Sequence, residues 1–252
     1  MVLIITGMHR SGTSLTASLF QQLGVNMGGN LVPADRHNPK GYFEDVDFLE
    51  FQRQVLQKCC DPNDPGWHDW GWTVHETLNP QLFERYSNQA EELLQKYKNN
   101  KTLWGWKDPR TTLMLDFWHN LIPHARYLFL FRYPWDVADS IKRLNAPIFT
   151  DHPEYILPIW RYYNQKLIDF YQQCPDKCIL FCVNHLDRFG ELIRLCQTKL
   201  NLSLPSFKAE IIQATYDRDL FHQLPPDQTI DDATAHILWQ LQEAADIKGD
   251  YC

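Results

Sequence analysis

An apolar run, Val2-Leu3-Ile4-Ile5, leads into the loop Gly7-Met8-His9-Arg10-Ser11-Gly12, and a helical pattern follows at Leu15, Leu19, Phe20 and Leu23. Strand, glycine loop and helix in immediate succession confine the chain to an α/β fold in which a helix N-terminus faces the end of a buried strand. Backbone N–H groups and the positive end of the helix dipole converge there and form a cradle for an anion. Gly7 and Gly12 have the spacing of the phosphate-binding loop G-x-x-x-x-G-[K]-[ST], yet Thr13 stands where that motif places lysine. A cation, Arg10, sits inside the loop instead. Without a lysine for the β- and γ-phosphates the loop suits ATP or GTP poorly. It suits a nucleotide with a different charged group on its 5′ side.

Three further apolar runs, at residues 102–106, 127–131 and 178–183, read as strands beside Val2–Thr6. Their nearly unbroken apolar character fits parallel strands covered on both faces. Helical spacing recurs at Phe48, Phe51, Val55 and Cys59, at Val137, Ile141 and Leu144, and along Ile156, Trp160, Tyr163, Leu167 and Phe170. It returns at Phe189, Leu192, Cys196 and Leu200, and again at Ile237, Leu238 and Leu241. The alternation predicts a doubly wound parallel sheet of about four to five strands flanked by helices, a three-layer sandwich of the P-loop nucleotide-binding kind. A single domain is expected over residues 1–252, with a lid-like insertion around 61–77 and irregular connections at 145–153 and 224–232.

With 252 residues, 44% of them hydrophobic and 22% charged, the chain reads as globular, neither disordered nor membrane-embedded. A net charge of −7 predicts no general attraction to nucleic acid. It also argues against a highly sulfated acceptor, unless a local basic cleft overrides the total. A first strand beginning at residue 2 and no apolar run of about 18 residues predict neither a signal peptide nor a membrane span, hence a cytoplasmic protein. The seven cysteines are odd in number and follow no zinc spacing, so reduced thiols are expected.

Gly7-x-x-Arg10-Ser11-Gly12-Thr13-Ser14 resembles the 5′-phosphosulfate loop of sulfotransferases that use 3′-phosphoadenosine 5′-phosphosulfate (PAPS). The second half of their signature is similar to the buried run 126–131 followed by Arg132-Tyr133-Pro134-Trp135-Asp136-Val137-Ala138-Asp139-Ser140. Asn38-Pro39-Lys40-Gly41-Tyr42-Phe43-Glu44-Asp45 and Trp106-Lys107-Asp108-Pro109-Arg110 resemble the bacterial and tyrosylprotein-type branch. Together the segments extend from residue 2 to about 205, in the family's order.

This resemblance implies a metal-independent in-line transfer of a sulfuryl group from PAPS to a hydroxyl or amine, with PAP as product. It assigns Arg10 as the catalytic cation. Gly7, His9, Arg10, Ser11, Gly12, Thr13 and Ser14 become the donor loop, and Arg132 with Ser140 the 3′-phosphate pair. The chemistry fits the residues: negative charge grows on the leaving phosphate, and a cation with backbone N–H groups stabilises it. For Arg132 the competing reading is an ion pair with Asp136 or Asp139, and for Ser14 a plain helix cap. Neither the adenine-stacking tryptophan nor the glycine-rich, lysine-bearing C-terminal segment of some cytosolic members is found.

A general base must take the acceptor's proton. Glu44 is the first candidate, with Asp45, His9 and His37 as competitors and a helix-dipole role as its alternative. Lys107 and Arg110 are expected at the C-terminal edge of the sheet, holding an anion or acceptor, or else forming an ion pair that organises the turn. Trp67, Trp70 and Trp72 either pack a lid or stack on a ring-bearing acceptor. A small molecule or a saccharide is the expected partner. Two rival functions remain open: a P-loop kinase or NTPase, and a nucleotide-binding module without turnover.

Overall fold

The computed structural model describes residues 1–36, 38–61, 77–97, 102–216, 221–225 and 230–249. Four strands, β1 (Val2–Thr6), β2 (Trp104–Lys107), β3 (Arg126–Phe131) and β4 (Cys178–Cys182), form one parallel sheet in the order β2-β1-β3-β4. The helices are α1 (Thr13–Gln22), α2 (Val46–Lys58), α3 (Ser87–Gln95), α4 (Leu115–Leu121), α5 (Pro134–Leu144), α6 (Pro147–Asp151), α7 (Ile156–Gln173), α8 (Phe189–Thr198), α9 (Glu210–Thr215) and α10 (Asp232–Ala244).

Alternation along the strands divides the core in two. Val2 and Ile4 of β1, Tyr127, Phe129 and Phe131 of β3 and Leu180 of β4 face α2, α4, α5, α7 and α10. Leu3 and Ile5, Leu128 and Leu130, and Ile179 and Phe181 face α1, α8 and α9. Every residue of β1 and β4 is buried, so each strand is apolar on both faces, as a doubly wound sheet requires.

The register fixes where the site forms. Ile5 lies opposite Lys107 on one side and Leu128 on the other, and Phe131 lies opposite Cys182. The segments leaving β1, β2 and β3 therefore emerge at one edge. Because β1 has β2 and β3 on opposite sides, the chain reverses its winding direction there, which opens a crevice at the strands' carboxyl ends.

Two details differ from the sequence reading. The second strand is shifted to Trp104–Lys107, since Glu44 neutralises the Lys107 ammonium and lets a charged residue finish a buried strand. The connection at 145–153 contains α6, and a 3₁₀ turn over Pro153–Tyr155 follows. Both begin with proline, whose fixed φ favours a first helical turn too short to show periodicity. Most of the expected insertion, including Trp67, Trp70 and Trp72, lies outside the described residues, as does His37.

Candidate functional site

The loop after β1 is shaped by its two glycines. A Cβ on Gly7 would lie 2.1 Å from the carbonyl oxygen of Leu130, so the chain can cross the end of β3 only without a side chain there. Gly12 has φ +75°, and its Cβ would meet Val183 Cγ1 at 2.6 Å. Gly12 is also the N-cap of α1, and no side chain caps that helix. The N–H groups of Thr13, Ser14 and Leu15 have no acceptor within the helix and are directed at the crevice. Ser14 thus stands inside the first turn and is not the cap. Between the glycines Arg10 adopts a left-handed backbone (φ 68°), a conformation that costs a non-glycine residue about 1–2 kcal/mol.

The loop meets the segment that follows β3. Arg10 Nε donates to Ser140 Oγ at 2.9 Å, and an Arg132 guanidinium nitrogen donates to the Arg10 carbonyl at 3.2 Å. Arg132 is 1% exposed, stacks over Phe221 with 3.9 Å from guanidinium carbon to ring centroid, and also donates to the His222 carbonyl. Its Nε is buried without a hydrogen-bond partner. Asp136 and Asp139, the alternative partners, are engaged elsewhere. Asp136 accepts from Asn184 and from Leu224 N–H, and Asp139 pairs with Arg143 and faces His222.

Burial pushes Arg132 down to about 10, against the pull of Asp136, while Arg10 and Arg143 add to the lowering and Asp139 opposes it. Burial likewise lowers Arg10, with Arg143 acting in the same direction. For both guanidiniums burial outweighs the attraction of the neighbouring acidic groups. Together with Gly12, Thr13, Ser14, Ser140 and the aromatic rings of Phe43 and Phe221, they line a cavity over the N-terminus of α1.

A second cavity, about 650 Å³, shares Arg10, Thr13, Ser14 and Asn38 with the first and extends to Glu44, Lys107 and Arg110. Here the charges are paired. Lys107 Nζ donates to Glu44 Oε1 at 2.6 Å, and Arg110 lies 3.0 Å from Asp108 Oδ1 and 3.7 Å from Glu44 Oε2. Burial raises the Asp108 carboxyl against the pull of Arg110. Burial also disfavours the Arg110 charge, but Asp108 and Glu44 outweigh it and hold Arg110 above its ordinary range. Asp108 further caps the turn at Arg110 N–H and accepts from Gln52, so this ion pair does organise the strand-to-helix turn while its cations reach the cavity.

Glu44 does not open α2. Asp45 is the N-cap, accepting from Asp47 N–H, and it also holds Gly29 N–H, Asn30 N–H and the Tyr97 hydroxyl. With four donors on its carboxylate, Asp45 is an anchor for the segment 28–45, which lines both cavities. His9 lines the second cavity with its ring edge against Tyr163. Among the described residues no group of three or more His, Cys, Asp or Glu is placed to hold a metal ion. No helix among them is long and apolar enough to cross a membrane.

The profile of the sulfotransferase family matches residues 3–184, nearly three quarters of the sequence and every segment just described up to the end of β4. The chain belongs to the sulfotransferase family. A sequence comparison with curated proteins gives no match. Among solved structures, the chain is similar to the sulfotransferase domain from the curacin biosynthetic pathway, at 18% identity and TM-score 0.57, over 95% of this chain and 96% of that one. It is similar to the sulfotransferase domain from the Synechococcus PCC 7002 olefin synthase, at 16% identity and TM-score 0.57, over 98% and 95%. Sulfotransferase STF9 from Mycobacterium avium matches at 15% identity and TM-score 0.51, over 98% of this chain and 77% of that one. At these identities the matches speak for the fold: a four-stranded parallel sheet between helices, built as in these sulfotransferases.

Several residues lining this sulfotransferase's crevice escaped the sequence reading. Lys40 and Phe43 belong to a segment from which only Glu44 and Asp45 were drawn, although Phe43 takes a left-handed backbone (φ 56°). Thr215 and Phe221 come from the C-terminal third, where no motif marks them. Lys40 Nζ donates to the Thr215 carbonyl at 2.8 Å, tying the two segments together across the first cavity.

Proposed function

We propose that the protein transfers a sulfuryl group from PAPS to a hydroxyl, with the donor in the first cavity and the acceptor in the second. Arg132 carries this reading: a fully buried guanidinium with an unused Nε–H, beside Ser140 and across from an uncapped helix N-terminus. A buried, unpaired cation is costly, and a phosphate relieves it with charge-assisted hydrogen bonds. The donor has two anionic groups at opposite ends of its ribose. The 3′-phosphate fits Arg132 and Ser140, and the 5′-phosphosulfate fits Arg10 with the N–H groups at the start of α1. Phe43 and Phe221 offer apolar walls for the base.

In the transfer the acceptor oxygen bonds to sulfur as the bond from sulfur to the 5′-phosphate oxygen breaks, and that oxygen keeps the electron pair as PAP departs. Arg10 and the α1 N–H groups meet the charge developing on it. Glu44 receives the acceptor's proton; Lys107 fixes its orientation through Oε1, and Arg110, 3.7 Å from Oε2, is too far to hold that oxygen by a hydrogen bond and leaves it to the acceptor. An acidic or hydroxyl-bearing small molecule or a saccharide fits the second cavity, which has the volume of a small-ligand pocket.

The test compares thermal unfolding with PAP and with Mg-ATP, followed by transfer of labelled sulfate from PAPS to an extract. PAP at 100 times its dissociation constant is expected to stabilise the fold by about 2.7 kcal/mol. Stabilisation by Mg-ATP alone would make the protein a kinase or NTPase. PAP binding without any labelled product would make it a binding module.

A further inference from the structure

Behind the second cavity runs a hydrogen-bond chain whose direction two tryptophans fix. The Trp106 indole donates to Thr111 Oγ1 at 3.1 Å, and that hydroxyl donates to Gln52 Oε1 at 2.7 Å. The Trp118 indole also donates to Gln52 Oε1, at 3.2 Å. An indole N–H can only donate, so the amide oxygen of Gln52 has to face Trp118. The amide nitrogen is thereby turned to Asp108 Oδ2, 2.8 Å away. Gln52, Thr111 and both indoles are buried, and solvent cannot stand in for any of these partners.

The carboxylate of Asp108 therefore meets donors on both oxygens: Gln52 Nε2 on one, and the Arg110 N–H and guanidinium on the other. A protonated Asp108 would turn its O–H against an N–H. These donors favour the ionised form, while burial favours the acid. Arg110 in turn stands 3.0 Å from Asp108 and 3.7 Å from Glu44 Oε2. Were Asp108 to lose its charge, Glu44 would become the stronger partner and draw the guanidinium onto the oxygen that the acceptor needs.

The other charges acting on Asp108 are Lys107 of β2 and Glu44 itself, and Tyr163 of α7 faces Arg110. β1 and α2 meet Asp108 with the uncharged Thr6 and Gln52. His9, Arg10, Asp35, Arg36, Tyr42 and Arg53 are the further titratable or charged residues of the cavity lining.

Resting on Glu44 as the base, we infer that Gln52 is a positioning residue: it holds Asp108 ionised, so that Arg110 stays on Asp108 and Glu44 Oε2 stays open to the acceptor's hydroxyl.

The test follows the side-chain carboxyl ¹³C resonances of Asp108 and Glu44 against pH, in the wild type and in Gln52→Met, which keeps the length of the side chain and removes its amide. The Asp108 midpoint is expected to rise by about one to two pH units, the worth of one hydrogen bond to a charged group. As Asp108 takes its proton, the Glu44 resonance should move in step and report the arrival of Arg110. Trp118→Phe keeps Gln52 but frees its amide to turn over; it should raise the same midpoint by less, and it carries the test if Gln52→Met does not fold. A midpoint left at its wild-type value, or one that moves without a response at Glu44, would overturn the inference.

Transfer of labelled sulfate from PAPS to an extract gives a second readout. Because Asp108 stays neutral to higher pH in Gln52→Met, the acid limb of the rate should move up with the midpoint, while the rate at high pH is retained. A loss equal at every pH would leave Gln52 as structural support alone and overturn the inference. A wild-type rate in Glu44→Gln beside an intact Asp108–Glu44 response would refute the base assignment alone. A slow Glu44→Gln without that response would refute this inference alone.

Discussion

The two cavities meet at Arg10 but handle positive charge in opposite ways. At the first cavity burial disfavours the charge of both Arg10 and Arg132, and Arg132 keeps an unused Nε–H. At the second cavity Lys107 and Arg110 are as deeply buried, yet each rests on a carboxylate. The first arrangement is costly on its own and would be relieved by an anion; the second is complete in itself and holds side chains in place. Burial alone does not distinguish a binding cation from a structural one. The partner does.

Substitutions can break this contrast, and the largest effects should fall on turnover. Arg10→Ala is expected to lower the transfer rate by about 10²–10³-fold, the loss seen when one donor to a developing oxyanion is removed. Its unfolding temperature should stay level or rise, because a guanidinium buried beside Arg143 is removed while the left-handed backbone is as costly for alanine as for arginine. A turnover rate equal to wild type would remove Arg10 from the chemistry. Glu44→Gln should cost about 10²–10⁴-fold in rate. Unlike Arg10→Ala it should also destabilise the fold, since it deprives Lys107 of its counter-charge.

Stability comes next. Lys107→Ala is expected to destabilise by about 3–5 kcal/mol in urea unfolding, because it leaves buried carboxylates undercompensated. Arg132→Ala should cost the ligand-free fold far less, and if the two variants melted alike the contrast between the cavities would fail. Arg132→Ala should instead weaken PAP binding by about 1.5–3 kcal/mol, read by calorimetry. Ser140→Ala should have the smallest effect, about 0.5–1.5 kcal/mol in PAP affinity. An unchanged affinity there would detach Ser140 from the donor.

What the sequence disclosed divides along the same line. The β1 loop was legible because backbone conformation demands glycine at Gly7 and Gly12, and the sheet because its strands are apolar on both faces. The short α6 carried too few residues to show a period. Asp45 and Glu44 were indistinguishable as neighbouring carboxylates; only the fold gives one to backbone N–H groups and the other to Lys107. Phe221 and Lys40 were invisible because they reach the crevice from distant segments through tertiary packing alone.

Asp45 has a consequence of its own. By fastening Gly29, Asn30 and Tyr97 to the start of α2, a single carboxylate sets the position of the strap that lines both cavities. Losing it would silence the enzyme from a distance, and a screen scored on product alone would mistake this rivet for a tool.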